Sequence, residues 1–449
     1  MHLFYRMRRL SFLLFTLSLT AIWAQKGTAA PAATPAAPIP LAEAIARARA
    51  NEPNFAAALA AARVAGLDRS IAQAALLPNV SYHNQALYTQ PNGAFNGGGP
   101  VGSQSAPRFI ANNAVREYAS QAVVTETLGV GPVTVVSRAA AANAVAAAEL
   151  EIARRGLVSA VTGLFYQALA AERKLSVARR AAAEAASFTQ LTQQRETARE
   201  GAHADVVKAQ LQQQQRDRDL AEAILTAQKS HLDLGVLLFA DPRTDYTLAP
   251  SPIAVLPARA EVDEAATRLN PELHQAMASL RVSALDVTAA RAAYFPELGL
   301  NFTYGIDAVQ FAVNGRDGVK NLGYSASATL DIPVWDWLST QHRVRQSEIL
   351  RDAAHTALTA TQRRLVAQLD EFYAEAGTSR DSLQSLEESV RTADESLRLT
   401  RLRYTAGEAT VLEVVDAQNS LTTSEIARED GTVRYQLALV NLQLLTGAI

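Results

Sequence analysis

The chain contains two copies of one sequence pattern, and this duplication restricts its fold more than any other feature. The segment Asp205 to Gln210 matches the segment Glu413 to Gln418 position by position, at a spacing of 208 residues. Upstream, Leu77-Pro78 matches Phe295-Pro296 at a spacing of 218. Repetition on this scale predicts a duplicated architecture in which both halves, residues 41–240 and 261–449, fold alike.

The first 24 residues predict a secretory signal peptide that is not part of the fold. A basic start around Arg6 precedes an apolar core from Leu10 to Ile22, and Ala24 is a small residue suited to the cleavage site. An uncleaved anchor helix is the alternative, although this core is shorter than the about 20 residues that a membrane-spanning helix needs. Residues 25–40, rich in alanine and proline, predict an extended tether that packs no core.

Composition excludes several classes of function. The chain has no cysteine, which excludes a lipid-modified cysteine, a thiol nucleophile and cysteine-based metal sites. Its net charge of −2 gives no support for binding nucleic acid. Beyond the leader we expect no helix apolar enough to span a membrane. An exported chain of this kind is then either soluble or crosses a membrane as a β-barrel.

Period-2 alternation predicts four strands, near residues 79–89, 117–128, 297–307 and 321–332. In the third, apolar residues from Leu298 to Ile306 alternate with small polar ones such as Asn301 and Thr303. A half-buried sheet in a soluble domain is the alternative interpretation. Strands of about ten residues match the length that crosses a bilayer. The aromatic residues that suit a membrane-interface girdle are Tyr82, Tyr88, Tyr304, Trp335 and Trp337.

Four strands are too few to close a membrane barrel, because closed single-chain barrels have about eight strands or more. An open sheet edge is not tolerated in hydrocarbon, where every backbone polar group needs a partner. If these strands cross a membrane, several copies of the chain must share one barrel. The sequence predicts oligomerisation on this ground without fixing the number of copies.

Helices of unusual length follow each strand pair. Residues 132–199 and 338–405 carry the helical pattern with almost no interruption, and at about 1.5 Å per residue each would reach roughly 100 Å. Returning helices are predicted over 204–239 and 410–445. A first helix is predicted before each strand pair, over 41–77 and 261–295. The proline-rich residues 241–260 are predicted to link the two halves.

Several segments in order carry a family resemblance: Arg403-Tyr404-Thr405-Ala406-Gly407, Leu412-Glu413-Val414-Val415-Asp416-Ala417-Gln418 and Leu442-Gln443-Leu444-Leu445-Thr446-Gly447. With them the chain resembles TolC-like outer-membrane efflux channels. The resemblance implies a mainly α fold with a transmembrane β-barrel, in which four strands from each chain of a homotrimer close a barrel of twelve. It also implies a coiled-coil tunnel in the periplasm and a passive conduit for small molecules or polypeptides. Its implied partners are a periplasmic adaptor protein, an inner-membrane pump and outer-membrane lipid.

Acidic residues mark the turn between each long helix and its returning helix. Glu413 and Asp416 lie three residues apart and therefore face one side of a helix. In a symmetric assembly they would form rings of carboxylates that favour cations. The earlier copy has Asp205 but Lys208 in these positions. The alternative interpretation is that these residues are solvated and stabilise a helix N-terminus.

The resemblance also implies a latch at this turn, which contains Arg403, Tyr404 and Gly407. Tyr404 and Asp205 match one pair of side chains that holds such tips closed. The basic partner expected two residues after Gly407 is Ala409. The first half departs further, because Arg199 occupies the position of the turn glycine.

The sequence predicts no enzyme and no cofactor. Its histidines are scattered, with no His-Glu-x-x-His pattern, and no serine nucleophile elbow or nucleotide-binding loop is present. A soluble periplasmic coiled-coil scaffold or adaptor is the alternative to a channel.

Overall fold

The computed structural model describes residues 38–88, 116–250, 252, 254–308, 310–315 and 318–447. The predicted signal peptide and residues 25–37 of the predicted tether lie outside the described residues. The first half contains α1 (Leu41–Asn51), α2 (Pro53–Ala74), β1 (Asn79–Tyr88), β2 (Arg116–Leu128), α3 (Val130–Thr197) and α4 (His203–Leu238). The second half repeats this order with α5 (Arg259–Leu269), α6 (Pro271–Ala292), β3 (Glu297–Ala308), β4 (Leu322–Asp331), α7 (Ser339–Thr405) and α8 (Val411–Thr446). The prediction of a mainly α fold with four strands per chain is confirmed.

Each half begins with two helices, and the prediction of one continuous first helix is wrong. The breaks fall at Glu52 and Asn270, whose extended backbones (ψ of 116° and 121°) precede Pro53 and Pro271. Proline disfavours helical geometry in the residue before it but suits the first position of a new helix. Both break residues also cap the helix that follows. Glu52 Oε1 accepts a hydrogen bond from the backbone of Asn54 at 3.3 Å, and Asn270 Oδ1 accepts one from the backbone of Leu273 at 2.8 Å.

Two long helical hairpins form most of the molecule. Helices α3 and α7 have 68 and 67 residues, and each reaches roughly 100 Å. Helix α4 returns along α3, and α8 returns along α7. The two hairpins lie side by side, mainly through contacts between α3 and α8. The chain therefore has a rod of four helices, with both connecting turns at the same end.

The four strands form one antiparallel sheet in the order β1-β2-β3-β4. Its register places the apolar residues of all strands on one face, as shown by the pairs Phe302–Ala326 and Val124–Phe302. The other face carries small polar side chains, including Asn301 opposite Ser327. Within the described residues, the outer edges of β1 and β4 pair with no further strand, so the sheet is open on both sides.

Polar side chains on the apolar face satisfy one another. The Ser120 hydroxyl lies 2.9 Å from the Tyr82 hydroxyl and donates to Asn84 Oδ1 at 2.8 Å. Ser120 is buried between these two partners. Because hydrogen bonds remove most of the cost of placing a polar group in an apolar environment, this cluster is compatible with a face that meets hydrocarbon.

Equivalent apolar cores anchor the short helices to the rod. Helix α1 packs against α3 and α4, whereas α5 packs against α7 and α8. The first core includes Ile39, Tyr246 and Leu248, all of them buried. Ile39 donates its backbone N–H to the Thr247 carbonyl at 2.8 Å. The expectation that residues up to 40 pack no core is therefore wrong at Ile39. The inter-repeat linker also contributes core side chains, because this short strand contact fixes it against the first half.

One described helix, α3, is long and apolar enough by composition to cross a membrane, contrary to expectation. Its alanine content supplies much of this apolar character. The same helix contacts α2, α4, α6 and α8. These contacts place α3 in the wall of the helical rod.

Candidate functional site

Two similar turns connect the helices at the end of the rod that lies away from the β-sheet. In the first, Glu200 donates its backbone N–H to the Arg195 carbonyl at 2.8 Å; in the second, Glu408 donates to the Arg403 carbonyl, also at 2.8 Å. Arg199 and Gly407 occupy the same place and both have left-handed backbones, with φ of 61° and 80°. The duplicated register therefore holds at atomic detail, although only the second turn has the glycine that this conformation favours.

Exchanging the residue types at these turns should change their local stability in opposite directions. We expect Arg199→Gly to raise the free energy of opening the first turn by about 0.5 to 1 kcal/mol, because a side chain in the left-handed region is strained. Gly407→Ala should lower that of the second turn by about 1 kcal/mol. Hydrogen exchange at the amides of Glu200 and Glu408 measures both changes. Faster exchange at Glu200 in Arg199→Gly would contradict the assignment.

The second turn leads into a fully capped helix. Thr410 Oγ1 accepts a hydrogen bond from the Glu413 backbone at 3.3 Å, and Glu413 Oε1 accepts one from the Thr410 backbone at 3.1 Å. Arg403 Nη1 lies 3.3 Å from Glu413 Oε2. Hydrogen bonds from the Thr410 backbone and side chain hold the pKa of Glu413 below its usual range, and the charge of Arg403 contributes less to the same effect. Glu413 therefore stays ionised and stabilises the start of α8.

The other two predicted acidic residues are not engaged in this way. Asp416 is exposed one turn into α8, and Asp205 is half-buried in the first turn of α4. Neither carboxylate has a hydrogen bond or ion pair within the part of the chain that the structure describes. The residue before α4, Ala202, supplies no side-chain cap. All three carboxylates thus lie at the end of the rod, but only Glu413 has a structural role there.

Tyr404 belongs to a small apolar core in which all four long helices meet. Its ring lies 5.2 Å from the Phe188 ring, centre to centre, and it packs with Ala209, Val411 and Val414. The hydrogen bond between Tyr404 and Asp205 that the resemblance implied is absent from the described residues. Tyr404 is buried in this core instead, and the Asp205 carboxylate makes no hydrogen bond or ion pair with the same residues.

Arg195 links the two hairpins at the tip. Its guanidinium lies 4.9 Å from the centre of the Tyr404 ring. Its Nη1 donates to the Tyr404 carbonyl at 2.7 Å, at the point where α7 ends. A cation at a helix C-terminus interacts favourably with the exposed carbonyls. Arg195 lies 208 residues before Arg403, so the repeat register offered a signal for it.

Further polar contacts join the two hairpins above the tip, and we call this row the seam. Asn419 Oδ1 accepts hydrogen bonds from Gln212, at 2.7 Å, and from Arg216. The other seam pairs are Arg401 with Glu184, Arg180 with Glu425, Arg173 with Glu429, and Lys174 with Asp430. Most seam residues are partly exposed, and exposed ion pairs contribute little individually. Glu429 is the exception, because its side chain is buried while it pairs with Arg173.

The described residues hold no group of three histidines, aspartates or glutamates that could bind a metal ion. What the tip can do is mechanical and electrostatic. Two turns and a small core fix the ends of four helices, and the carboxylates of Asp205 and Asp416 lie at the same end without a partner among the described residues.

Comparison with known proteins gives a family match for the second half. Residues 263–448 match the model of the outer membrane efflux protein family. The outer membrane protein OprJ of Pseudomonas aeruginosa is 29% identical over 172 residues, which cover 38% of this chain and 36% of that protein. Protein CyaE of Bordetella pertussis is 27% identical over 276 residues, covering 58% of this chain and 55% of that protein. The chain thus spans about a third to a half of the length of the curated relatives it matches.

The fold agreement extends over nearly the whole chain. The open state of the MtrE outer membrane channel of Neisseria gonorrhoeae superposes with a TM-score of 0.76 at 18% identity. The match covers 91% of this chain and 88% of that one. At this identity the likeness establishes the fold, and it includes the first half that the family model does not reach.

Proposed function

We propose that the chain is an outer-membrane channel of the outer membrane efflux protein family, whose model matches residues 263–448, with its helical rod in the periplasm. It is a passive conduit and not an enzyme, and it exports small molecules or polypeptides received from an inner-membrane pump. The observation that carries this proposal is the combination of a two-faced sheet, open at both edges, with a helical rod roughly 100 Å long. Such a sheet is stable in hydrocarbon only if its edges are paired.

The surfaces of the single chain support assembly of three copies into a barrel of twelve strands. At the sheet, β1 and β4 are the free edges. Beside the sheet, α2 and α7 are the outer helices of the wall, since α3 and α6 lie between them. Helix α2 carries exposed apolar residues at helical spacing, which are Val64, Leu67 and Ile71, and α7 carries the exposed neighbours Ile349 and Leu350. Exposed apolar side chains on both outer helices fit a second copy on each side.

The tip of the rod is the proposed periplasmic gate. Three copies would place Glu413, Asp416 and Asp205 in rings around the entrance, where carboxylates favour cations over anions. The turns that contain Arg403, Tyr404 and Gly407 would shape this entrance. Arg195 and the seam would hold it closed. A periplasmic adaptor protein, bound at the rod, is the proposed partner that couples this gate to the pump.

Conductance in planar lipid bilayers tests the proposal. The purified protein should require detergent, sediment as a homo-oligomer and produce discrete single-channel steps. It should also stay in the membrane fraction after carbonate washing, because its strands are embedded in lipid. A protein that carbonate releases completely, and that forms no channels, would instead be the soluble periplasmic scaffold.

A further inference from the structure

The segment between β4 and α7 is the most exposed apolar part of the described chain. We call residues 332–338, Ile-Pro-Val-Trp-Asp-Trp-Leu, the junction segment. Val334 is 88% exposed, Trp335 68% and Trp337 83%. The two indole rings contact each other edge to face, with their centres 5.8 Å apart. In the first half, Gly129 alone connects the corresponding strand β2 to α3.

The backbone of the junction segment is strained as well as exposed. Trp337 and Leu338 are consecutive left-handed residues, with φ of 57° and 65°, and neither is glycine. Asp336 stabilises the turn, since its Oδ2 accepts a hydrogen bond from the Thr340 backbone at 2.7 Å. Strained backbone persists where the surroundings determine it. The exposed indoles have no such surroundings within the described chain, which indicates a contact outside it.

The chain contains its own template for that contact. Strand β2 runs past Thr125, its last residue opposite β1, as far as Leu128. These last residues are held by β3, on the other side of β2, where Leu128 lies opposite Leu298. Strand β4 has no such neighbour and ends at Asp331, opposite Glu297. By the repeat, residues 332–334 correspond to the end of β2, and the neighbour that they lack corresponds to β3.

The residues equivalent to β3 lie in β1, the other free edge. Transferring the β2–β3 register to a β4–β1 pairing between copies places Thr329 opposite Gln85 and Val334 opposite Val80 of the next copy. Val80 is 70% exposed in the single chain. Ile71 near the end of α2 and Leu77 in the turn between α2 and β1 are exposed too. An apolar corner thus lies where the junction segment would arrive.

We propose that the junction segment is a clasp between copies. Residues 332–334 continue β4 along β1 of the next copy, with no backbone donor at Pro333. Trp335 and Trp337 cover the α2–β1 corner of that copy at Ile71 and Leu77. This inference rests on the proposed shared barrel, which supplies the second copy. At each boundary between copies, the clasp joins the barrel to the helical wall. Within one chain the equivalent junction is the one where Glu297 packs against Gly129 and Gly131.

Cysteine crosslinking of the full-length protein in membranes tests the clasp. The chain has no cysteine, so each introduced pair reports alone. Trp337→Cys with Leu77→Cys should give covalent dimers and trimers with a short thiol-specific crosslinker. Thr329→Cys with Gln85→Cys tests the shared barrel by itself, because both residues lie within strands. Crosslinking of both pairs supports the clasp.

The remaining outcomes separate the two proposals. If the 329–85 pair crosslinks and the 337–77 pair does not, the barrel stands and the clasp is overturned. If neither pair crosslinks, the shared barrel fails and the clasp fails with it.

Tryptophan fluorescence shows whether the junction segment contacts the next copy or lipid. Once the predicted signal peptide with Trp23 is removed, Trp335 and Trp337 are the only tryptophans of the chain. In the assembled protein their emission should be shifted to the blue and little quenched by brominated phospholipid vesicles. Strong quenching by brominated lipid would overturn the clasp and assign the junction segment to the membrane interface. Trp337→Phe, which leaves Trp335 as the reporter, provides the control for the individual signals.

Discussion

Removing two links between the hairpins, one at the tip and one in the seam, should raise the single-channel conductance of the proposed channel severalfold. The variant combines Arg195→Met with Asn419→Leu. Arg195 holds the end of α7 through the Tyr404 carbonyl, and Asn419 accepts the two donors from α4. Methionine and leucine keep most of the side-chain volume while they remove the charge and the hydrogen bonds. Without these bonds the closed tip is less stable, while Gln212 is partly exposed to water and Arg216 keeps its ion pair with Asp219. Opening should therefore cost less free energy in the variant. Planar bilayer recordings measure the effect.

A second variant separates this latch from the one that the family resemblance implies. Asp205→Ala with Tyr404→Phe removes the implied pair, and that pair forms no hydrogen bond within the described residues. We expect a much smaller rise in conductance than for the Arg195 and Asn419 variant. The reverse order of the two effects would return the latch to Tyr404 and Asp205. Equal, unchanged conductance in both variants would exclude the tip as the narrow point.

Replacing Arg155 by methionine should destabilise the helical part of the protein by about 3 to 5 kcal/mol, since each hydrogen bond from a charged group contributes about 1.5 to 3 kcal/mol. Arg155 is buried in α3, and it donates to the carbonyls of Leu444 at 2.8 Å and Leu269 at 3.0 Å. It thereby joins the ends of α8 and α5 to the long helix. Urea unfolding in detergent, followed by far-ultraviolet circular dichroism, measures the loss.

Arg154 supplies the matched control, because it is the neighbouring residue and binds the same carboxylate. Its Nη2 lies 2.7 Å from Glu151 Oε1 at a partly exposed position. Hydrogen bonds from Arg154, with the Arg155 bond and charge, lower the pKa of Glu151 to about 2, so the carboxylate stays ionised. Arg154→Met should cost less than about 1 kcal/mol, as is typical of exposed ion pairs. A cost as large as that of Arg155→Met would show that the carboxylate, and not the two carbonyls, carries the stability.

Local patterns in the sequence predict the secondary structure well where one physical rule dominates. Alternation places all four strands to within two residues, and the scarcity of proline and glycine defines the long helices. The break at Glu52-Pro53 was equally readable, since proline acts on the residue before it. The turn at Arg199 is a similar case, because the repeat register alone assigns it the left-handed conformation of Gly407.

The polar links between distant elements have no comparable signal. Arg155 and Leu444 are 289 positions apart, and their contact depends on how α3 and α8 pack. Asn419 and Gln212 meet only because the two hairpins lie side by side. The capping box at Thr410 and Glu413 is different, because its three-residue spacing is local and can be read from the sequence. Packing between repeats, and not the repeats themselves, decides these contacts.

A sheet with two unpaired edges also ties the maturation of this protein to its abundance. In the proposed assembly, hydrocarbon offers no partner for β1 or β4 until three copies meet. Insertion and association are then a single event, whose rate falls steeply as the exported chain becomes scarce. Subunits that have not yet inserted expose unpaired strand edges, which can pair with those of other subunits. Cells that produce this protein faster than it inserts should therefore accumulate aggregates rather than stable monomers.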